Sequence, residues 1–191
     1  MAHYVQLACF PLALFIFHTS EFALAIVIHG ASKVSTKSFL LSKEYLLAMM
    51  CGLLEYGFEE IYAPGMKSKM QISYMGLFLI ILGEAIRKAA ILTAKHNFTH
   101  DIKTFHHENH ELVTHGIYRF VRHPSYLGFF LWSIGTQVLL INPICAMGYA
   151  VVTWRYFARR ILIEEYFLRQ FFGKQYVDYT RKVSSGIPFI K

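Results

Sequence analysis

Residues 127–154 form a run of 28 positions without one charged side chain, and polar chemistry crowds both ends of it. Before the run stand His115, Tyr118, Arg119, Arg122, His123 and Tyr126; after it stand Arg155, Arg159, Arg160, Glu164 and Glu165. A soluble domain has no place for so long an apolar stretch except its core, whereas a membrane accepts it directly. The Asn142-Pro143 turn signal splits the run into a limb at 124–141 and a second from 144 onward. The first limb has 18 residues, or about 27 Å at the helical rise. Its length alone allows either two full spans or a hairpin packed inside a bundle.

The remaining chain supports the membrane reading. It has 191 residues, 55% hydrophobic and only 16% charged, too little polar surface for a soluble fold with several such runs. The expected fold is all-α, a polytopic membrane bundle of about five helices forming a single unit over 1–191. Spans are expected near 7–28, 45–61, 73–92, 124–141 and 144–160. No positive segment precedes the first apolar run, which is longer than a signal peptide's core, so it is expected to be retained. Glu21 within it should face protein, because an ionised carboxylate in lipid is costly; whether it is functional or only paired stays open at this stage. Gly76 and Gly83 share one helix face and allow close packing. Arg87 and Lys88 are expected to snorkel to the interface. Pro64-Gly65 reads as a turn. Beyond 160 an amphipathic stretch around Ile161, Leu168 and Phe171 is expected, then a polar run from 174 to 185. Cys9, Cys51 and Cys145 are odd in number and widely spaced, so they are expected to be small core residues.

The net charge of +7 lies in loops and the C-terminal third rather than in a stripe, which argues against nucleic-acid binding. Lys33, Lys37 and Lys43 fall on one side of a five-helix arrangement with Lys95, Lys103, Arg119, Arg122 and the basic C-terminal region. Only Lys67 and Lys69 fall on the other. The first side is then cytosolic. Both ends of the uncharged run meet there, as a single site requires.

Three chemistries suit the bracket. Six histidines (His96, His100, His106, His107, His110 and His115) lie in the polar connection 95–122. They suggest metal ligation, but only His96 and His100 have a helical pair spacing and no second box repeats it, so no metal is expected. A charged organic cofactor is the second. Pro124 suits a first helical turn, whose free N–H groups would aim near His123 at an anion. Arg119, Arg122, Tyr118 and Tyr126 would add charge and flat surfaces. The third is Arg160 with Glu164 at i, i+4, which serves equally as a structural ion pair or a functional one.

Joined, these motifs resemble the isoprenylcysteine carboxyl methyltransferases, integral membrane enzymes of the endoplasmic reticulum. The resemblance rests on His96-Asn97-Phe98-Thr99-His100, His110-Glu111-Leu112-Val113-Thr114, and Gly116-x-Tyr118-x-x-x-Arg122-His123-Pro124-Ser125-Tyr126-x-Gly128. It continues through Trp132-Ser133-Ile134-Gly135-Thr136-Gln137, Asn142-Pro143-Ile144-Cys145, Arg160-x-x-x-Glu164-Glu165, Phe171-Phe172-Gly173 and the closing Pro188-Phe189-Ile190-Lys191. It implies methyl transfer from S-adenosylmethionine to the C-terminal carboxylate of a farnesylated or geranylgeranylated cysteine. The partners would be CaaX-processed proteins such as small GTPases, met at the cytosolic face of the bilayer. By position, Lys103, His110, Glu111, Leu112, Val113, Tyr118, His123, Pro124, Ser125, Tyr126 and Glu164 would contact the cofactor. Arg160 would bind the substrate carboxylate, with Arg160 and Glu164 the catalytic pair. His115 receives no role, and most other histidines are expected to be incidental. The ending is not a CaaX motif, so the chain would act on prenylated proteins without being one. Sterol reductases using NADPH and phospholipid methyltransferases share a looser form of the pattern. No Gly-x-Gly occurs, so the soluble nucleotide-binding fingerprint is missing.

Overall fold

A computed structural model describes residues 2–34, 39–63, 65–106 and 110–190. The expectations placed on Lys37, Pro64, His107 and Lys191 fall outside these residues. Five α-helices account for most of the described chain: α1 (Ala2–His29), α2 (Lys43–Tyr62), α3 (Met70–Ala94), α4 (Pro124–Leu139) and α5 (Pro143–Lys182). The all-α expectation holds. Among the described residues the only β pairing is a single bridge between Val121 and Ser184.

The centre of the bundle is α4, none of whose residues is exposed. Small residues on both helices, Gly76 and Gly83 of α3 and Gly128 and Gly135 of α4, explain how α3 comes so close. A Cβ at Gly76 would lie 2.1 Å from the Leu139 backbone nitrogen, and one at Gly83 would lie 2.5 Å from the Gly128 carbonyl oxygen. These are backbone contacts, which a rotamer change cannot relieve. Gly76→Ala is therefore expected to destabilise the bundle by about 1–3 kcal/mol, read as faster thermal inactivation in detergent; an unchanged inactivation temperature would refute the close α3–α4 approach. On the other flank Phe17 of α1 stacks on Trp132 at 4.2 Å between ring centroids.

Ser42 caps α2, its hydroxyl accepting from the Tyr45 N–H at 3.1 Å, which satisfies one free donor of the first turn. The α4–α5 turn is held by Lys67 of the α2–α3 loop, which is fully buried. Its ammonium donates to the carbonyls of Leu140 (2.8 Å) and Ile141 (3.0 Å), to Asn142 Oδ1 (2.9 Å) and to Glu59 (2.6 Å). Glu55 accepts from the N–H groups of Ile144 and Cys145 at 2.7 and 2.6 Å, placing negative charge at the start of α5.

Three expectations need correction. Arg87 does not snorkel: it is buried and holds the equally buried Glu21 through two bonds of 2.9 and 2.7 Å. Its third contact, to the Ser125 carbonyl at 3.2 Å, ties the pair to the start of α4. An acid within reach on α1 competes with water for the guanidinium, a fact invisible to a reading of α3 alone. Of the cysteines, Cys51 is no core residue but exposed, whereas Cys9 and Cys145 are half-buried and pack against the core. Finally, 174–182 is helical. α5 continues through Gly173, whose φ of 51° kinks it, because Tyr176 and Tyr179 form a buried face within the polar run.

The outer surface is studded with large apolar side chains on α1, α2, α3 and the first half of α5, among them Phe15, Leu47, Phe78 and Val152. An apolar exterior of this extent belongs against lipid. Among the described residues, one helical segment, Val5–His29, has by itself the length and hydropathy of a membrane crossing.

Candidate active site

The site begins where the chain's end meets its middle. The backbone N–H groups of Arg122 and His123 donate to the carbonyls of Ser184 (2.9 Å) and Ser185 (3.1 Å). This pairing requires Gly186: its φ is 94°, and a Cβ there would lie 2.2 Å from Val121 Cγ1. Held in this way, the Arg122-His123 segment enters α4 through Pro124 at the first turn, where a missing N–H costs nothing.

Arg122 then locks α5 in place. Its guanidinium donates to Glu165 Oε1 at 3.0 and 2.8 Å and reaches the Val183 carbonyl. His123 Nε2 lies 3.1 Å from the same Glu165 oxygen, and its Nδ1 lies 3.5 Å from Glu164 Oε2. Burial pushes the Glu165 carboxyl up, but the hydrogen bonds and charges of His123 and Arg122 outweigh it and hold the group down at about 2. The charge of Arg122 is thus committed to Glu165 rather than offered to a ligand, while Arg119 is exposed.

Arg160 and Glu164 do not form a direct ion pair. The Tyr126 hydroxyl sits between them, donating to Glu164 Oε2 at 2.6 Å and accepting from Arg160 Nε at 2.8 Å. Tyr126 is itself stacked between the His123 ring at 5.4 Å and the Phe157 ring at 4.8 Å. Arg160 also donates to the Tyr156 hydroxyl at 3.2 Å and to the His100 carbonyl.

Beside this group opens a cavity of about 840 Å³, counting its mouth. Ten of the residues expected to contact a cofactor line it: Lys103, His110, Glu111, Leu112, Val113, Tyr118, His123, Ser125, Tyr126 and Glu164. Pro124 does not reach the wall, and neither does Arg160, which lies behind Tyr126. Burial lowers the Lys103 ammonium below the ordinary lysine range. Burial and then the nearby Glu164 charge raise the Tyr118 phenol.

The family model of the isoprenylcysteine carboxyl methyltransferases (ICMT) matches residues 75–170, the segment that supplies most of this cavity. Protein-S-isoprenylcysteine O-methyltransferase A of Arabidopsis thaliana is 57% identical over 185 residues, covering 97% of this chain and 94% of its own. The chain belongs to the isoprenylcysteine carboxyl methyltransferase family. The Homo sapiens protein-S-isoprenylcysteine O-methyltransferase is 44% identical over 94% of this chain and 63% of its own. The solved eukaryotic intramembrane Ras methyltransferase ICMT superposes with a TM-score of 0.96 at 42% identity, covering all of this chain and 68% of that one. A family of carboxyl methyltransferases implies a methyl donor.

Several cavity residues escaped the sequence reading. Phe171 and Phe172 face the His106 and His110 rings at 5.1–5.7 Å between centroids and close one wall. Tyr176 and Tyr179, beyond the Gly173 kink, line the cavity from below. The Tyr179 hydroxyl donates to the Tyr118 carbonyl at 2.5 Å. Their i, i+3 spacing was the available signal, masked by the lysines and arginines around them. No group of three or more His, Cys, Asp or Glu side chains among the described residues is arranged to hold a metal ion.

Proposed function

We propose that this chain, an isoprenylcysteine carboxyl O-methyltransferase, takes its methyl group from S-adenosylmethionine and delivers it to the C-terminal carboxylate of farnesyl- or geranylgeranylcysteine. The observation that carries this reading is the adjacency of a cavity with both charged and apolar walls to Arg160, with the Tyr126 hydroxyl bonded to both Arg160 and the cavity's Glu164.

The cavity's donor set fits such a cofactor. Glu111 and Glu164 offer carboxylates to an ammonium and to ribose hydroxyls, and Leu112, Val113, Phe171 and Phe172 offer an apolar wall to a base. Ser125, in the first turn of α4, brings a helix N-terminus to the wall, where a carboxylate is favoured. Bound there, S-adenosylmethionine would supply an electrophilic methyl on a positively charged sulfur.

The chain's own task is alignment. An α-carboxyl group titrates near ~3.5, so the substrate is an anion at neutral pH and needs no general base. Arg160 has five N–H donors. Three are taken by Tyr126, Tyr156 and His100, which leaves one on each terminal nitrogen for the two carboxylate oxygens. Glu164 keeps Tyr126 oriented, and Tyr126 keeps Arg160 oriented. The surrounding aromatic walls exclude water from both charges, which favours their meeting. The prenyl chain would lie along the apolar helix faces. The 191 residues act as one integral-membrane unit with about five helices in the bilayer. The cavity faces the cytosol at the endoplasmic reticulum, where CaaX-processed proteins such as small GTPases present their termini.

The test is methyl transfer by purified protein from labelled S-adenosylmethionine to N-acetyl-S-farnesylcysteine. Base-labile methyl ester is expected, together with saturable binding of the cofactor. Binding of NADPH in its place, or methylation of phospholipid headgroups alone, would overturn the reading.

A further inference from the structure

After the turn at Lys95–Asn97, the described residues that connect α3 to the turn at Gly116–Arg119 cross the site with little backbone scaffold. Among the described residues, no backbone–backbone hydrogen bond outside the helices begins or ends between positions 99 and 114. One carbonyl in this stretch, that of His100, nevertheless accepts a bond from Arg160. Something other than backbone pairing must hold it there.

The His100 side chain supplies the anchor. Its Nε2 lies 3.0 Å from Glu21 Oε2 on α1. Glu21 is buried and already held by Arg87 and by Lys88, the latter at 2.5 Å. Two cations fix the carboxylate in place and keep it ionised, so it can only accept; His100 Nε2 therefore carries the proton and donates. The imidazole also meets the Phe98 ring edge-on at 5.3 Å. Neither Glu21 nor His100 lines the large cavity, so neither is placed to touch a cofactor.

We propose that Glu21 and His100 are positioning residues for Arg160: the α1 carboxylate holds the His100 imidazole, and through it the backbone carbonyl that sets the Arg160 guanidinium. This rests on the reading that Arg160 receives the substrate carboxylate. It gives α1 a part in the reaction although the helix contributes nothing to the cavity wall, and it makes His100 more than an incidental histidine of the loop. The proposal also explains why a buried acid with two cations beside it has a third donor. Charge balance does not require that donor, whereas placing the loop does.

Steady-state kinetics with N-acetyl-S-farnesylcysteine test it, since Glu21 variants would strand Arg87 and Lys88 and risk the fold. His100→Ala is expected to raise KM about tenfold with kcat within about threefold. S-adenosylmethionine affinity should be unchanged. His100→Gln, which keeps a side-chain donor for Glu21, should recover most of the loss. His100→Phe, which keeps the ring against Phe98 but cannot donate, should behave like His100→Ala and serves if the alanine variant does not accumulate. Competitive inhibition by the farnesylcysteine carboxamide, which lacks the anionic carboxylate, should change little. A wild-type KM in both His100→Ala and His100→Phe, or a His100→Gln variant as impaired as they are, overturns the proposal. Equal weakening of the carboxamide does so too. Arg160→Lys in the same assay separates the two levels: a raised KM there beside a wild-type His100→Ala sinks the positioning role alone. An unchanged KM in Arg160→Lys sinks the assignment of Arg160 itself.

Discussion

Arg160→Ala is expected to lower kcat/KM toward N-acetyl-S-farnesylcysteine by about a hundredfold to a thousandfold while the protein still inserts in membranes and binds S-adenosylmethionine. Losing a charge-assisted partner of a desolvated carboxylate costs about 3–4 kcal/mol, within the range for truncating one member of such a pair, and each 1.36 kcal/mol is about tenfold. The fold should tolerate the change. Arg160 is bound to two phenols and one carbonyl and to no carboxylate, and Tyr126 keeps its bond to Glu164. Its separation from the cavity wall by Tyr126 predicts that the loss falls on the prenylcysteine and not on the cofactor. Turnover within tenfold of wild type, or an equal loss of cofactor affinity, would remove Arg160 from the substrate site.

The bundle was legible in the sequence because apolar runs and turn signals are local. The ends of α2, α3 and α4 fall within a few residues of the expected spans. The small-residue face of α3 announced its close partner, although not that the partner was α4. What escaped was set by distant contacts. Arg87 looks like a snorkelling residue until Glu21, 66 positions away, is brought beside it. Lys67 looks like a loop charge until the carbonyls of the α4–α5 turn converge on it. At the site, the i, i+4 spacing of Arg160 and Glu164 indicated proximity. The spacing did not show that a phenol from α4 stands between them, since helix periodicity describes one element and the bridge comes from another. The 174–182 helix was missed for a related reason: its apolar face is only Tyr176 and Tyr179, too narrow to register among charges.

The second large effect is expected at Glu165. Glu165→Ala leaves Arg122 buried with its main partner gone, and breaking a buried pair from one side costs about 3–5 kcal/mol. For a chain of this length that corresponds to a fall on the order of 10 °C in thermal midpoint, measurable by inactivation in detergent. Arg122 joins the start of α4 to Glu165 and the Val183 carbonyl, so the same change should loosen the cavity floor and weaken cofactor binding. Removing both charges, as in Arg122→Met with Glu165→Leu, should be milder than Glu165→Ala, because no orphan charge remains. The pH dependence has a definite sign. The folded-state carboxyl sits near 2 against an ordinary 4.5, so folding favours its ionised form. Its contribution is complete above about pH 4.5 and is lost as pH falls from there toward about 2. Wild-type protein should therefore lose stability over that window more steeply than Glu165→Gln. Parallel acid limbs for the two proteins would mean that the Arg122–Glu165 contact does not hold the start of α4 against α5.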